Sequence, residues 1–325
     1  STVPDDLKYE DHPKEFPAPE STALWSEAAV WVPWALWEGY GDRDVLRRQY
    51  ESMTAHTRRV EGLLSDTGLW DQGFQFGDWL DPDAAPDQPW NSKGDKGVVA
   101  TACLYRTARI TSQTASILGH TEDAGHFSDL ADRVRAAFNT HYVGPDGTIL
   151  SDCTTVYALA LAFDVLDGGD ERTFAGNRLA ELVSRNGYRV STGFAGTPFI
   201  TWALSESGHL EDAYRLLLEE QCPSWLYPVT MGASTVWERW DSMLPDGSIN
   251  QGEMTSFNHY ALGAVADWLH KVVGGIRPLE PGYAKVLYAP KPGHGIHWAK
   301  TSLVTPHGTV ASEWHLQEGG GYEFS

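Results

Sequence analysis

The chain has 325 residues, of which 42% are hydrophobic, and a formal net charge of -20. An acidic chain with no basic run repels phosphate backbones and anionic lipid, so nucleic acid and membrane are both excluded as expected partners. Three cysteines, Cys103, Cys153 and Cys222, are odd in number and form no Cys-x-x-Cys pair, which argues against a disulfide framework or a zinc site. They read as core residues. No clustered His and Asp ligands are present at metal-site spacing, so neither a metal nor any other cofactor is expected.

Residues 1–22 are polar and carry Pro4, Pro13, Pro17 and Pro19, the composition of an extended segment lying over a surface. They contain neither a basic region nor an apolar signal segment. The compartment therefore stays open, with the cytoplasm slightly favoured. Residues 24–37 are apolar nearly all round, as expected of an inner helix with neighbours on most sides. Gly39 and Gly41 close it, and Asp42 starts a more one-sided helix that runs to Leu64. The stretch from Gly68 to Pro89 combines Gly, Pro and Asp with Phe74, Phe76 and Trp79. It reads as a long aromatic loop and a candidate cleft wall.

Helical patterns then recur over 98–118, 124–142, 154–166, 174–184, 197–207, 210–219 and 256–273, several joined by Gly-containing turns. The first, third and fifth are strongly apolar; the second, fourth and sixth are amphipathic. Only helices covered on both sides need the former pattern, so the alternation predicts an inner and an outer layer. A double-layered α/α barrel fits, and so does a helical-hairpin solenoid. After Gly275 the texture turns to short β-type pieces over 285–288, 299–304, 308–314 and 321–324. The expected organisation is a barrel over 1–275 and the start of a β-sandwich over 276–325.

The stretch from Gly232 to Met243 packs Trp237 and Trp240 around Glu238, Arg239 and Asp241. Charges near apolar surface are paired or left partly hydrated. Carboxylates among aromatics suit a carbohydrate site, because tryptophan faces stack on the C–H faces of sugar rings. A helix N-terminus with a structural Glu–Arg pair would also account for these residues. The chain's 14 tryptophans exceed what packing ordinarily needs and point to an aromatic-lined cleft.

Thr235-Val236-Trp237-Glu238-Arg239-Trp240-Asp241-Ser242, then Ser256-Phe257-Asn258-His259-Tyr260-Ala261, preceded by Gly193-Phe194-Ala195-Gly196-Thr197-Pro198, resembles the catalytic domain of the inverting α-L-rhamnosidases. Trp25-Ser26-Glu27-Ala28-Ala29, Gly77-Asp78-Trp79-Leu80 and Pro223-Ser224-Trp225-Leu226-Tyr227-Pro228 agree with it, in family order over nearly the whole chain. The resemblance implies a mainly α fold, an (α/α)6 barrel whose open end holds a terminal L-rhamnose from a rhamnose-containing glycoside. Inversion uses one carboxylic acid on the leaving oxygen and one carboxylate on water, about 6.5–9.5 Å apart.

By position in the motif Glu238 corresponds to the general base, kept ionised by Arg239 or a nearby donor. His259 matches the family's sugar-binding histidine, although a hydrogen-bonded core histidine would read the same. Trp25 and Trp79 match aromatic walls. Glu27, Asp78 and Trp237 complete the expected substrate-binding set, Glu27 standing where the family more often has Asp. For each tryptophan alone, core packing is the simpler reading.

One part of the family pattern is missing. The Arg-Asp-Glu-Arg stretch that carries the general acid has no counterpart here, so the expectation is a fragment, incomplete at its N-terminus, with an exposed apolar seam. Glu27 and Asp81 are the alternatives for the acid. Another α/α-barrel glycosidase, or a non-catalytic sugar-binding module, remains the competing reading.

Overall fold

The computed structural model describes residues 21–85 and 88–325. The extended segment expected over 1–22 lies outside them except for its last two residues. Eight helices follow in hairpin order: α1 (Ala28–Tyr40), α2 (Arg43–Glu61), α3 (Lys96–Leu118), α4 (Thr121–Tyr142), α5 (Thr154–Phe163), α6 (Gly169–Arg185), α7 (Thr197–Glu206) and α8 (Leu210–Leu218). Their starts are fixed locally. The Asp42 carboxylate accepts the Asp44 amide, and Asp95 accepts those of Gly97 and Val98. Such caps occupy donors that the first turn leaves free.

The two layers are present. Every residue of α5 except Ala162 is buried, and α3 is covered along most of its length. By contrast α8 buries only Ala213, Tyr214, Leu216 and Leu217, one stripe of an amphipathic helix. A short α9 (Leu226–Thr230) follows, and α10 (Val265–Trp268) lies between a 3-10 turn at Ala261–Ala264 and a π turn at Leu269–Val273. One cavity of about 1060 Å³ is lined by Trp34 of α1, Arg106 of α3, Leu161 of α5, Trp202 of α7 and Asp267 of α10. Helices stacked in a row would not share a cavity between the first and the last. The inner helices therefore curve into a barrel, which settles the choice against a solenoid.

Two expectations change. The helix expected from Ser256 begins at Ala261, because the Glu238 amide donates to the Ser256 carbonyl and the His259 amide to that of Val236, which ties 256–259 to the carboxylate segment as an irregular stretch. And α1 does not have neighbours on most sides. Val32, Leu36 and Tyr40, four residues apart on one helix face, are 54%, 41% and 65% exposed.

Beyond the helices, β1 (Ile276–Glu280) pairs antiparallel with β2 (Lys285–Tyr288), and β3 (Trp298–Thr305), β4 (Gly308–Leu316) and β5 (Tyr322–Phe324) form an antiparallel meander. These are two small sheets on the helical body. The Trp314 indole, wholly buried, donates to the Val273 carbonyl at 2.8 Å, and the Tyr214 hydroxyl to that of Lys291 at 2.5 Å. At the other contact two glycines meet: a Cβ on Gly282 would stand 2.9 Å from the Gly41 nitrogen.

The loop before α3 is anchored by one buried side chain. Asp78 is 0% exposed; one oxygen accepts the amides of Ala195 (2.8 Å) and Gly196 (3.0 Å), the other the amide of Gly193 (2.8 Å) and the Thr155 hydroxyl. Burial pushes this carboxyl above its ordinary range, while the Thr155 hydroxyl and the Gly193 and Gly196 amides pull it back. Gly193 has no room for a side chain, since a Cβ would lie 2.3 Å from the carbonyl oxygens of Asp78 and Trp79.

Asp78→Asn turns an NH₂ group toward amides that need an acceptor. At about 1–3 kcal/mol for each buried group left unsatisfied, the variant should lose at least that much unfolding free energy in urea. Unchanged stability would mean that the carboxylate does not hold this junction. Replacing Val32, Leu36 and Tyr40 together by Gln should reduce dye binding and light scattering by the chain, because it removes an exposed apolar row; equal scattering would show that this face does not drive association.

Candidate functional site

The loop anchored by Asp78 presents a run of aromatic rings. Trp25 packs on Phe76 with centroids 4.8 Å apart, Phe76 meets Trp79 edge-on at 5.3 Å, and Trp79 lies 6.5 Å from Trp90. Trp25 keeps 38% of its surface open. The Phe194 amide donates to the Trp79 carbonyl at 2.8 Å, which ties this wall to the turn entering α7.

Opposite stands the carboxylate segment. Trp237 and Trp240 both turn inward, 3% and 6% exposed, Trp237 edge-on to Phe257 and Trp240 edge-on to Trp225. Between them, at a bend, Glu238 and Arg239 are left half-buried at the surface. Glu238 is held by its backbone amide on the Ser256 carbonyl (2.9 Å) and by the Ser256 amide on its Oε2 (3.2 Å). Among the described residues no hydrogen bond engages Oε1, so that atom is open to water or ligand. Arg239 does not serve Glu238 as expected; its Nε lies 3.1 Å from Asp241 Oδ1, and Asn250 donates to Oδ2 of the same carboxylate at 2.9 Å. The donor at Glu238 is a backbone amide instead.

His259 joins these elements. Its Nδ1 accepts the Ala261 amide at 3.3 Å, which puts the proton of the neutral ring on Nε2. The ring lies on Phe194, centroids 5.2 Å apart and planes 29° apart. Phe194 also borders a cavity of about 100 Å³ with Leu80, Asp81, Pro223, Glu238 and Asp241. Trp25, Trp79, Glu238 and His259 thus belong to one connected end of the molecule.

The other expected residues do not face it. Asp78 has its acceptor sites filled by the junction described above, and Trp237 is a packing residue. Glu27 is wholly buried. Among the described residues neither of its oxygens has a hydrogen-bond partner, and the nearest cation candidate is His56 Nε2, 3.6 Å from Oε1. It presents no surface to the cleft. Asp81 borders the small cavity, but Lys93 Nζ sits 2.6 Å from its Oδ1 and the Lys93 amide donates to its Oδ2, so it stands as a paired carboxylate. Phe194 was not among the expected site residues. Its signal was present, an aromatic between Gly193 and Gly196 at a helix entry.

The 1060 Å³ cavity in the barrel is lined by none of the expected residues. Its floor carries Arg106, whose guanidinium lies over Trp31, Phe163 and Phe199 at 4.5, 4.9 and 5.2 Å. Size alone does not make it the site; its lining has carboxylates and rings, Glu38, Glu206 and Asp267 beside Trp34 and Trp202, but neither Glu238 nor His259. Among the described residues, no group of three or more His, Cys, Asp or Glu could hold a metal ion.

Residues 6–273 match the model of the bacterial alpha-L-rhamnosidase six-hairpin glycosidase domain, and residues 275–324 that of the bacterial alpha-L-rhamnosidase C-terminal domain. An alpha-L-rhamnosidase of Streptomyces avermitilis is 39% identical over 92% of the chain, and one of Formosa agariphila 33% over 90%. The chain spans 28% and 31% of those relatives' lengths. Among solved structures, the native rhamnosidase of Aspergillus terreus superposes with a TM-score of 0.88 at 38% identity, over 93% of this chain and 35% of that one. The Streptomyces avermitilis enzyme complexed with L-rhamnose gives 0.82 at 38% identity, over 90% of this chain and 27% of that one. With its helical body matched almost end to end, this chain belongs to the bacterial α-L-rhamnosidase six-hairpin glycosidase family.

Proposed function

We propose that the chain is the barrel portion, with an attached C-terminal β unit beginning near residue 276, of a glycoside hydrolase that releases terminal α-linked L-rhamnose with inversion. The observation that carries this reading is the placement of Glu238: a half-buried carboxylate with one oxygen on a backbone amide and the other open, in a chain similar to an enzyme complexed with L-rhamnose. Trp25 and Trp79 supply ring faces for the C–H side of the sugar, and the His259 Nε2–H donates to a hydroxyl. In the chemical step Glu238 takes a proton from water, the water oxygen bonds to the anomeric carbon, and the bond to the leaving oxygen breaks with its electron pair. That oxygen takes a proton from a carboxylic acid.

The sequence identifies no such acid in this chain. The reading therefore places the base here and the acid elsewhere in the active enzyme. The Ser256 amide on Oε2 fixes the orientation of the Glu238 carboxyl group and leaves Oε1 as the atom that takes the proton from water.

Hydrolysis of an aryl α-L-rhamnoside, whose leaving group needs little protonation, tests the base. Glu238→Gln should lower turnover by about 10²–10⁴-fold. Rhamnose affinity measured by calorimetry should change little, since Gln keeps the shape and one acceptor. A variant that turns over at the parent rate would remove Glu238 from the reaction. Following the first-formed sugar by proton NMR tests the stereochemistry: β-L-rhamnose should appear before the anomers equilibrate, and initial α-L-rhamnose would mean retention.

A further inference from the structure

The backbone amide that orients Glu238 comes from the far end of a long excursion. The chain leaves the carboxylate segment at Met243 and returns to it at Ser256. Its outward part closes on itself: Met243 and Ile249 form an isolated antiparallel bridge, and the Leu244 amide donates to the Ser248 carbonyl at 2.8 Å. The return limb over 250–255 belongs to no helix or strand, and within it Met254 holds a φ of 57°, a left-handed conformation that costs free energy in a residue with a side chain. Such a path persists only where contacts from outside the limb impose it.

Those contacts converge on Asp241. Its Oδ1 lies 3.1 Å from Arg239 Nε, and its Oδ2 accepts Asn250 Nδ2 at 2.9 Å. Asn250 passes the hold onward, because its Oδ1 accepts the Gly252 amide at 2.9 Å. The Arg239 side chain is only 12% exposed, and its Nη1 donates to the Glu253 carbonyl at 3.4 Å. One carboxylate therefore grips the return limb twice, at Asn250 directly and at Glu253 through Arg239, just before the chain delivers the Ser256 amide to Glu238 Oε2. Glu238, Arg239 and Asp241 also border the same 100 Å³ cavity.

We propose that Asp241 is a positioning residue for Glu238. It holds the return limb in the path that keeps the Ser256 amide on Oε2 and leaves Oε1 free for water. This rests on the rhamnosidase reading, in which Glu238 is the base. A largely covered guanidinium deprived of its carboxylate has to turn toward another acceptor, and in turning it releases the Glu253 carbonyl. Asn250 loses its partner in the same step, so both grips fail together. Trp25, Trp79 and His259 are held by contacts that do not include Asp241, and sugar binding is therefore kept.

Two measurements on the whole chain test this role. In hydrogen–deuterium exchange, Asp241→Ala should lose protection at the Ser256 amide while α3 and α5 exchange as in the parent. In hydrolysis of an aryl α-L-rhamnoside, Asp241→Ala should lower kcat by about 10–100-fold, the effect of a displaced catalytic group, with rhamnose affinity by calorimetry unchanged. Asp241→Asn keeps an acceptor for Asn250 but offers Arg239 no charge, and should fall between the two. Introduced into Glu238→Gln, Asp241→Ala should cost nothing further, because a residue that acts through the base has nothing left to position. Unchanged Ser256 exchange, or an equal loss of kcat in both backgrounds, would reduce Asp241 to a packing ion pair and leave Glu238 as the base. A parent without turnover, or one that Glu238→Gln does not slow, would overturn the base and this role with it.

Discussion

A single carboxylate with no access to water organises the end of the barrel where the aromatic rings gather. Asp78 accepts three backbone amides and one hydroxyl, drawn from the turn entering α7 and from the first turn of α5. A carboxyl group so enclosed is tolerable only when its lone pairs are filled, and here three of the four donors that fill them are backbone amides held by the entry to α7. Trp79 follows Asp78 directly, and Phe194 stands between two of the residues that donate to it. The ring wall and the Phe194 ring on which His259 lies are thereby referred to the same point.

The helical part of this arrangement was legible because burial leaves a simple mark. A helix covered on both sides must be apolar all round, and α3 and α5 are. The stretch before Ala261 was not legible, because its apolar and aromatic residues suit a helix and only hydrogen bonds to 236 and 238, some twenty residues away, keep it out of one. Likewise α1 is apolar by sequence yet half open in the fold; composition states what a face could bury, and the neighbours decide whether it does. β1 was hidden by Pro278, a poor strand residue that fits at a two-stranded edge.

At the site, the motif identified segments but not facing. Glu238 keeps partly exposed surface, whereas Trp237 and Trp240 from the same segment turn inward, because the chain bends at Glu238 and Arg239. Arg239 shows a related limit. Proximity in sequence suggested that it would pair with Glu238, and its guanidinium instead reaches Asp241, two residues on, with Asn250 closing the other side. Glu27 is the least expected placement. A buried carboxylate 3.6 Å from a histidine, with no hydrogen bond, is an arrangement that residue type and spacing give no means of foreseeing.

The joint between the first described helix and the C-terminal segment is made differently from all of these. Gly41 and Gly282 both hold left-handed backbone, and the turn at Gly41 fills the space where a side chain on Gly282 would be. No charge, ring or hydroxyl specifies the contact, so nothing about it could be improved by exchanging side chains. It is a place where the fold depends on an omission. Surrounding residues are free to drift in character, while the smallest addition at Gly282 would press on the backbone of Tyr40 and Gly41 and pry the sheet region away from the helical body.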